Sequence, residues 1–340
     1  MRAARTQSAP AKAGPLPPAA ALAPTGNGDH PNGAAATSVC RPPALRPGGR
    51  IAVVAPSGPL VADRLAEGVA VLERHGFEVV SPTARAPHRL FAGTDAERLA
   101  DLRAAFDDPA VDLIWCARGG WGAQHLLPGL DPAWLRERPR LCIGFSDATA
   151  LLALLVGQAG VAAVHGPMVA HDVAREDAAG RLGEVLALLQ GGAGWALDVP
   201  DTLVAGEVVA PVRGGCLSVL AALAGTPWQP SFRDSIALFE DVAERPQRRI
   251  DRLLTQLTQA GALDGVRGFV FGTMHECGPA DELRETILAR VESFGVPVGF
   301  GAPCGHGPVN RAVPLGLPAR LVLPAAGGGA LGGDAPVVRV

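Results

Sequence analysis

Ser146 stands in Gly144-Phe145-Ser146-Asp147-Ala148, between the apolar run Leu141-Cys142-Ile143-Gly144 and a helical stretch over 148–156. A strand that turns into a helix within two residues lifts a serine side chain out of the sheet edge. It also sets the hydroxyl near free backbone N–H groups that can stabilise an oxyanion. The spacing Gly-x-Ser-x-Ala is close to a nucleophile elbow, with Ala148 in place of the second glycine. The same residues suit a plain helix cap, with Ser146 or Asp147 accepting from the first turn, and the spacing leaves both readings open. A serine nucleophile needs a base, and the base needs an orienting acid. His306 lies in Gly305-His306-Gly307-Pro308, a loop without helical or strand periodicity whose glycines leave an imidazole accessible. His165, after Val161-Ala162-Ala163-Val164, and His275, after Phe269-Val270-Phe271, compete with it, while His75 at a helix end and His30 near the N-terminus are poorer bases. Glu240 closes the strand expected over 235–239, where an ionised carboxylate needs a partner or the mouth of a sheet, and that position favours it over Asp241 and Glu244. The chain order Ser, Glu, His is that of α/β-hydrolase triads, which recur on unrelated folds.

Arg118-Gly119-Gly120-Trp121-Gly122 lets the backbone approach a ligand closely and point N–H groups at it, unless it is only a tight turn. The first strand runs into Ala55-Pro56-Ser57-Gly58-Pro59 without Gly-x-Gly-x-x-Gly, so no dinucleotide cofactor is expected. Met274-His275-Glu276-Cys277 places two potential ligands side by side, which by itself makes no metal site.

The elements that must position these residues follow from the hydrophobic pattern. Arg50-Ile51-Ala52-Val53-Val54 reads as a buried parallel strand, and Leu65, Val69 and Leu72 share one helix face that Gly76 ends. Further strands are expected at 77–80, 111–116 and 140–144, with a helix at 98–106. This alternation argues for a parallel α/β sheet of Rossmann or flavodoxin type that binds ligands at the carboxyl ends of its strands. After Met168 the texture changes. Residues 171–205 read as a linker with one helix at 182–189, and 206–340 as a smaller mixed α/β domain with a β-barrel-like sheet. In that domain strands at 207–210, 235–239 and 268–271 alternate with helices at 217–223, 249–257 and 283–294, and Gly327 to Gly333 reads as a flexible loop. The nucleophile domain thus spans 49–170, and Glu240 and His306 belong to the second.

A net charge of −3 leaves no basic footprint for nucleic acid or an anionic membrane. Lys12 is the only lysine, which excludes lysine catalysis in the folded region. Six scattered cysteines with no C-x-x-C pair suit buried free thiols in a reducing compartment. Residues 1–48, rich in Ala, Pro and Gly, bury too little surface to order and are expected to be disordered. Pro15, Pro17, Pro18 and Pro24 interrupt any export-signal core, so a cytoplasmic protein is expected.

Taken together, Val54-Ala55-Pro56-Ser57-Gly58, the Arg118–Gly122 segment, Gly144-Phe145-Ser146-Asp147 and Gly214-Gly215-Cys216-Leu217-Ser218 resemble the bacterial LD-carboxypeptidase family, relatives of the microcin C self-immunity hydrolases. Phe239-Glu240-Asp241-Val242-Ala243-Glu244 with Asp251-Arg252-Leu253-Leu254, then Gly305-His306-Gly307-Pro308 with Pro314-Leu315-Gly316, extend the resemblance over about residues 50 to 320. It implies a triad of Ser146, Glu240 and His306 reaching across two domains. It also implies an oxyanion hole from the N–H of Asp147 and of Gly119 or Gly120. Further implications are a homodimer, no metal, and release of terminal D-alanine from a peptidoglycan tetrapeptide in cell-wall recycling. Cys216 stands where many relatives carry Asn, and Trp121 where Tyr is common. The immunity hydrolases hold a nucleotide with a Trp on an extra loop, for which 171–205 is short, though Trp195 lies there.

Overall fold

Four consecutive residues of Ile51–Val54 are buried, because their strand lies between two others and is covered on both faces. In the computed structural model, which describes residues 39–82, 87–192 and 194–333, this strand is β1 (Arg50–Val54). With β2 (Glu78–Val80), β3 (Val111–Cys116), β4 (Leu141–Gly144) and β5 (Ala163–His165) it forms a parallel array in the order β2-β1-β3-β4-β5. Helices α1 (Ala62–Arg74) and α2 (Asp95–Asp107) connect the first three strands, and α1 buries Leu65, Gly68, Val71 and Leu72. Thr94 caps α2 in a reciprocal box with Glu97. A short α3 (Pro132–Glu137), absent from the sequence reading, starts at the Asp131 cap with proline in its first turn. After β4 come a 3-10 turn, Ser146–Ala148, and α4 (Thr149–Leu154), prolonged by a wider turn to Ala159.

Residues 171–205 do more than link. Beyond α5 (Ala174–Ala178) and α6 (Leu182–Leu189) they contain β6 (Trp195–Val199) and β7 (Asp201–Val204), the two edges of a second sheet. That sheet continues with β8 (Gly206–Cys216), α7 (Leu217–Ala222), β9 (Ile236–Val242), α8 (Arg248–Gln259), β10 (Gly268–His275), α9 (Ala280–Val291) and β11 (Val298–Phe300). The described residues end with β12 (Val313–Leu315), β13 (Pro318–Leu323) and β14 (Gly329–Gly333). The order β6-β14-β13-β8-β9-β10-β11-β7 is mixed and open, with a parallel centre and antiparallel flanks, so the sheet is no closed barrel. With eight strands against six it is also the larger of the two sheets. Ile250, Leu254 and Leu257 give α8 a stripe that packs on Phe239, Phe269 and Phe271.

Three expectations change. Gly329–Gly333, read as loop, is strand β14, held by pairing with β13 and β6, and Gly329 allows a close approach there: a Cβ on it would meet the Val322 oxygen at 2.0 Å. Order begins before residue 48: Cys40 bridges to Val161, and Leu45 is buried with its N–H bonded to Leu189 O. The rest of the segment expected to be disordered, residues 1–38, lies outside the described residues, as does residue 334 onward. Finally, β12 leaves the second sheet altogether and pairs antiparallel with β5 in the first.

Candidate active site

Ser146 has φ +58, a left-handed conformation that side chains rarely adopt, at the joint between β4 and the turn into α4. That strained joint directs its Oγ away from the sheet toward His306, whose Nε2 lies 2.9 Å away. His306 Nδ1 is 2.7 Å from Glu240 Oε2, which also accepts the His306 backbone N–H at 3.1 Å. Gly305 makes this approach possible: at φ +100, a Cβ there would stand 2.2 Å from Glu240 Oε2. Glu240 lies within β9, which runs on to Val242, so it does not close the strand as the sequence suggested. It is fully buried, and the imidazoles around it are what make a carboxylate tenable there.

Burial pushes the Glu240 carboxyl up, but the charge of His306 and the hydrogen bonds of His165 and His306 outweigh it and bring it down to about 2. The carboxylate is therefore an acceptor only, which makes His306 Nδ1 the donor and leaves its Nε2 lone pair for the Ser146 hydroxyl. For His306 itself burial acts downward, yet the charge and hydrogen bond of Glu240, with Asp241 and Asp172, raise it above the ordinary histidine value. Phe145 packs against this imidazole with ring centres 4.8 Å apart.

The Gly119-Gly120 turn stands beside the serine. A Cβ on Gly119 would lie 2.8 Å from Ser146 Oγ and 3.5 Å from Asp147 N. Gly120, at φ +121, lets Gly58 come close, and Gly58 N donates to Gly119 O at 3.1 Å. The Asp147 carboxylate accepts from Ala123 N at 2.8 Å, and burial raises it above the usual range. Trp121 is 67% exposed on this turn. Sequence reasoning missed Arg98, whose buried guanidinium bonds Pro56 O, Gly122 O and Asp95, tying the loops after β1 and β3 together. The available signal was an arginine on the apolar stripe that Leu102, Ala105 and Phe106 mark on α2.

The other candidates fall elsewhere. His165 is buried against Glu240 Oε1 at 3.3 Å, not against Ser146. His275 is exposed at the end of β10, and His75 pairs with Asp177; His30 lies outside the described residues. Asp241 accepts Ser218 N at 2.7 Å, and burial with the Glu240 charge pushes it up to about 6. Glu244 pairs with Arg249. Cys216 is buried, donates its N–H to Thr149 Oγ1 and sets its thiol 3.4 Å from Asp241. Trp195 lines a cavity of about 380 Å³ with Arg181, Glu184 and Arg311, apart from the serine. All six cysteines are free thiols, and among the described residues no cluster of three His, Cys, Asp or Glu could hold a metal ion. No helix of the described residues is long and apolar enough to cross a membrane.

Residues 51–166 match the LD-carboxypeptidase N-terminal domain and residues 209–321 the LD-carboxypeptidase C-terminal domain. The chain belongs to the LD-carboxypeptidase family. Within it, a Streptomyces coelicolor protein provisionally named a carboxypeptidase is 41% identical, over 83% of this chain and 93% of its own length. The murein tetrapeptide carboxypeptidase of Pseudomonas aeruginosa is 34% identical, over 80% of this chain and 93% of its own. The solved muramoyltetrapeptide carboxypeptidase of Oxalobacter formigenes superposes with a TM-score of 0.76 at 30% identity, covering 85% of this chain and 100% of that one. A solved protein of Bacillus anthracis resembling the microcin immunity protein MccF gives 0.78 at 25% identity, over 86% and 99%. The chain therefore carries both family domains, and Ser146 lies in the first while Glu240 and His306 lie in the second.

Proposed function

We propose that this LD-carboxypeptidase is a serine-type enzyme that hydrolyses the L-to-D amide bond releasing terminal D-alanine from peptidoglycan tetrapeptides, in cell-wall recycling. The observation that carries the reading is the chain of contacts Ser146 Oγ to His306 Nε2 at 2.9 Å and His306 Nδ1 to Glu240 Oε2 at 2.7 Å. The substrate class comes from the relatives that act on murein peptides and share both domains with this chain. In the mechanism, His306 takes the Ser146 proton as Oγ attacks the scissile carbonyl, and Glu240 orients the imidazole and balances its charge. The N–H groups of Asp147 and of Gly119 or Gly120 stabilise the oxyanion. D-Alanine leaves with the proton returned by His306, and water, activated by the same base, hydrolyses the acyl-enzyme. The cytoplasm suits six unpaired thiols, and the family resemblance suggests a homodimer, which light scattering on the eluted protein tests.

Incubating the purified protein with a disaccharide-tetrapeptide should remove one D-alanine, read by mass spectrometry. Ser146→Ala should lower turnover on the order of a millionfold while the melting temperature stays within about 1 °C, since the half-buried side chain loses only its hydroxyl and one hydrogen bond to His306. Full activity in that variant excludes the serine mechanism. The likeness to the B. anthracis protein favours a second reading, an immunity hydrolase acting on a nucleotide-peptide conjugate. Assaying an acyl-sulfamoyl nucleotide beside the tetrapeptide separates the two. A serine-directed fluorophosphonate that fails to label Ser146 would instead point to a peptidoglycan-fragment binder.

A further inference from the structure

Both oxygens of Glu240 are engaged, and only one by the relay. Oε2 faces His306, while Oε1 lies 3.3 Å from Nε2 of His165, a residue with no exposed surface. Because the carboxylate only accepts, His165 Nε2 must carry the proton of that contact. His165 belongs to the other lobe: it sits on β5 opposite Gly144 of β4, two residues before the serine, and opposite Val313 of β12. Its ring meets Phe145 edge-on at 5.8 Å, and Phe145 in turn packs on His306. Its Nδ1 is buried without a partner, so a single directed bond holds the imidazole in this polar contact. The fully buried imidazole directs its Nε2–H at Glu240 Oε1, which points to a use for that bond.

We propose that His165 is a positioning residue for this site: its Nε2–H fixes the plane of the Glu240 carboxylate so that Oε2 meets His306, and couples the relay to the strand beside the nucleophile. The inference rests on reading Ser146, His306 and Glu240 as the hydrolytic relay. Removing the bond leaves Oε1 unpaired and concentrates the negative charge on Oε2. The His306 imidazole then holds its proton to higher pH; the other charges facing it, from Asp241 and Asp172, are unaltered.

The test compares His165→Leu and His165→Gln with the unmodified enzyme, by D-alanine release and by the rate of fluorophosphonate labelling of Ser146 across pH. His165→Leu should lower kcat and the labelling rate about 10- to 100-fold, as loss of a hydrogen bond to a charged group does, with KM unchanged. Its acidic limb should move to higher pH, and His165→Gln, which keeps an N–H donor, should recover most of both effects. A folded His165→Leu with unchanged kcat and acidic limb overturns the proposal. If that variant does not fold, the ring nitrogens of the unmodified protein decide by NMR, since an Nδ1–H tautomer at His165 is incompatible with donation to Glu240. An enzyme whose Ser146 labels normally but releases no D-alanine refutes the substrate reading and leaves the His165 comparison intact. Absence of labelling in the unmodified protein refutes both.

Discussion

Glu240 is ionised with no exposed surface, and its partners define the pH behaviour of the whole site. The proposed base must be neutral to accept the serine proton, and Glu240 holds His306 above the ordinary histidine value. Activity should therefore fall as pH drops through that raised value, giving kcat/KM an acidic limb above the usual range near 6.5. Glu240→Gln removes the charge, so the limb should move to lower pH while kcat drops roughly 10⁴-fold, the loss typical of an orienting carboxylate. A pH–rate profile of both proteins checks it, and a limb that stays in place would argue that another group controls His306. The stability linkage has the opposite reach. Folding depresses Glu240, so its contribution is present above the unfolded value near 4.3 and is lost as pH falls through about 2. Folding raises His306, so its contribution is full below the unfolded histidine value and disappears as pH rises through the folded one. At this scale the sequence was informative about Ser146 and His306, whose flanking glycines and turns are local. It could not show that Glu240 takes two imidazoles, because one of them arrives from a strand 75 residues earlier.

The elbow between β4 and α4 depends on what the neighbouring turn lacks. Gly119 needs no unusual φ, yet a methyl group there would stand 2.8 Å from both Cβ and Oγ of Ser146. Gly119→Ala should therefore displace the hydroxyl and the proposed oxyanion donors, lowering kcat about 10²- to 10³-fold with little change in melting temperature. Gly214→Ala should behave differently, because its Cβ would fall 1.8 Å from the Leu238 oxygen within the paired strands β8 and β9, at φ +146. Loss of cooperative thermal unfolding is expected there, and circular dichroism distinguishes the two glycines. Elements with strong local patterns were legible: β1, β3 and β4 are short runs of branched or large apolar residues, and α8 shows one clean stripe. Strands β6, β7 and β14 were not: β6 alternates Trp195, Leu197 and Val199 with Ala196 and Asp198 over only five residues, β7 has no buried face, and β14 is mostly glycine. Partners across the sheet, rather than propensity, hold them in place.

The two lobes share substance as well as a site. One hydrophobic core includes Phe145, Leu151 and Leu155 from the first lobe with Val208, Val212, Leu238 and Leu321 from the second. The chain also returns through β12 to complete the first sheet before β13 and β14 join the second. A protein ending at residue 205 would expose that core and leave β5 as a bare edge. It should lack a cooperative melting transition, whereas the full chain should unfold in one transition by fluorescence and circular dichroism alike. Independent folding of the shortened chain would show that the lobes are separable.

By itself the sequence determined the alternation of strands and helices in the first lobe, the turn that lifts Ser146, and three residues of the right chemistry in the right order. Those are properties of local spacing, and adjacent residues suffice to encode them. Only the tertiary structure decided that His306, and not His165 or His275, stands 2.9 Å from Ser146, and that His165 grips the far oxygen of the same carboxylate. Contacts of that kind join residues up to 160 positions apart, and they exist only where two sheets pack across one shared core. The serine's side chain is aimed by its own turn, but what it is aimed at is set by the fold.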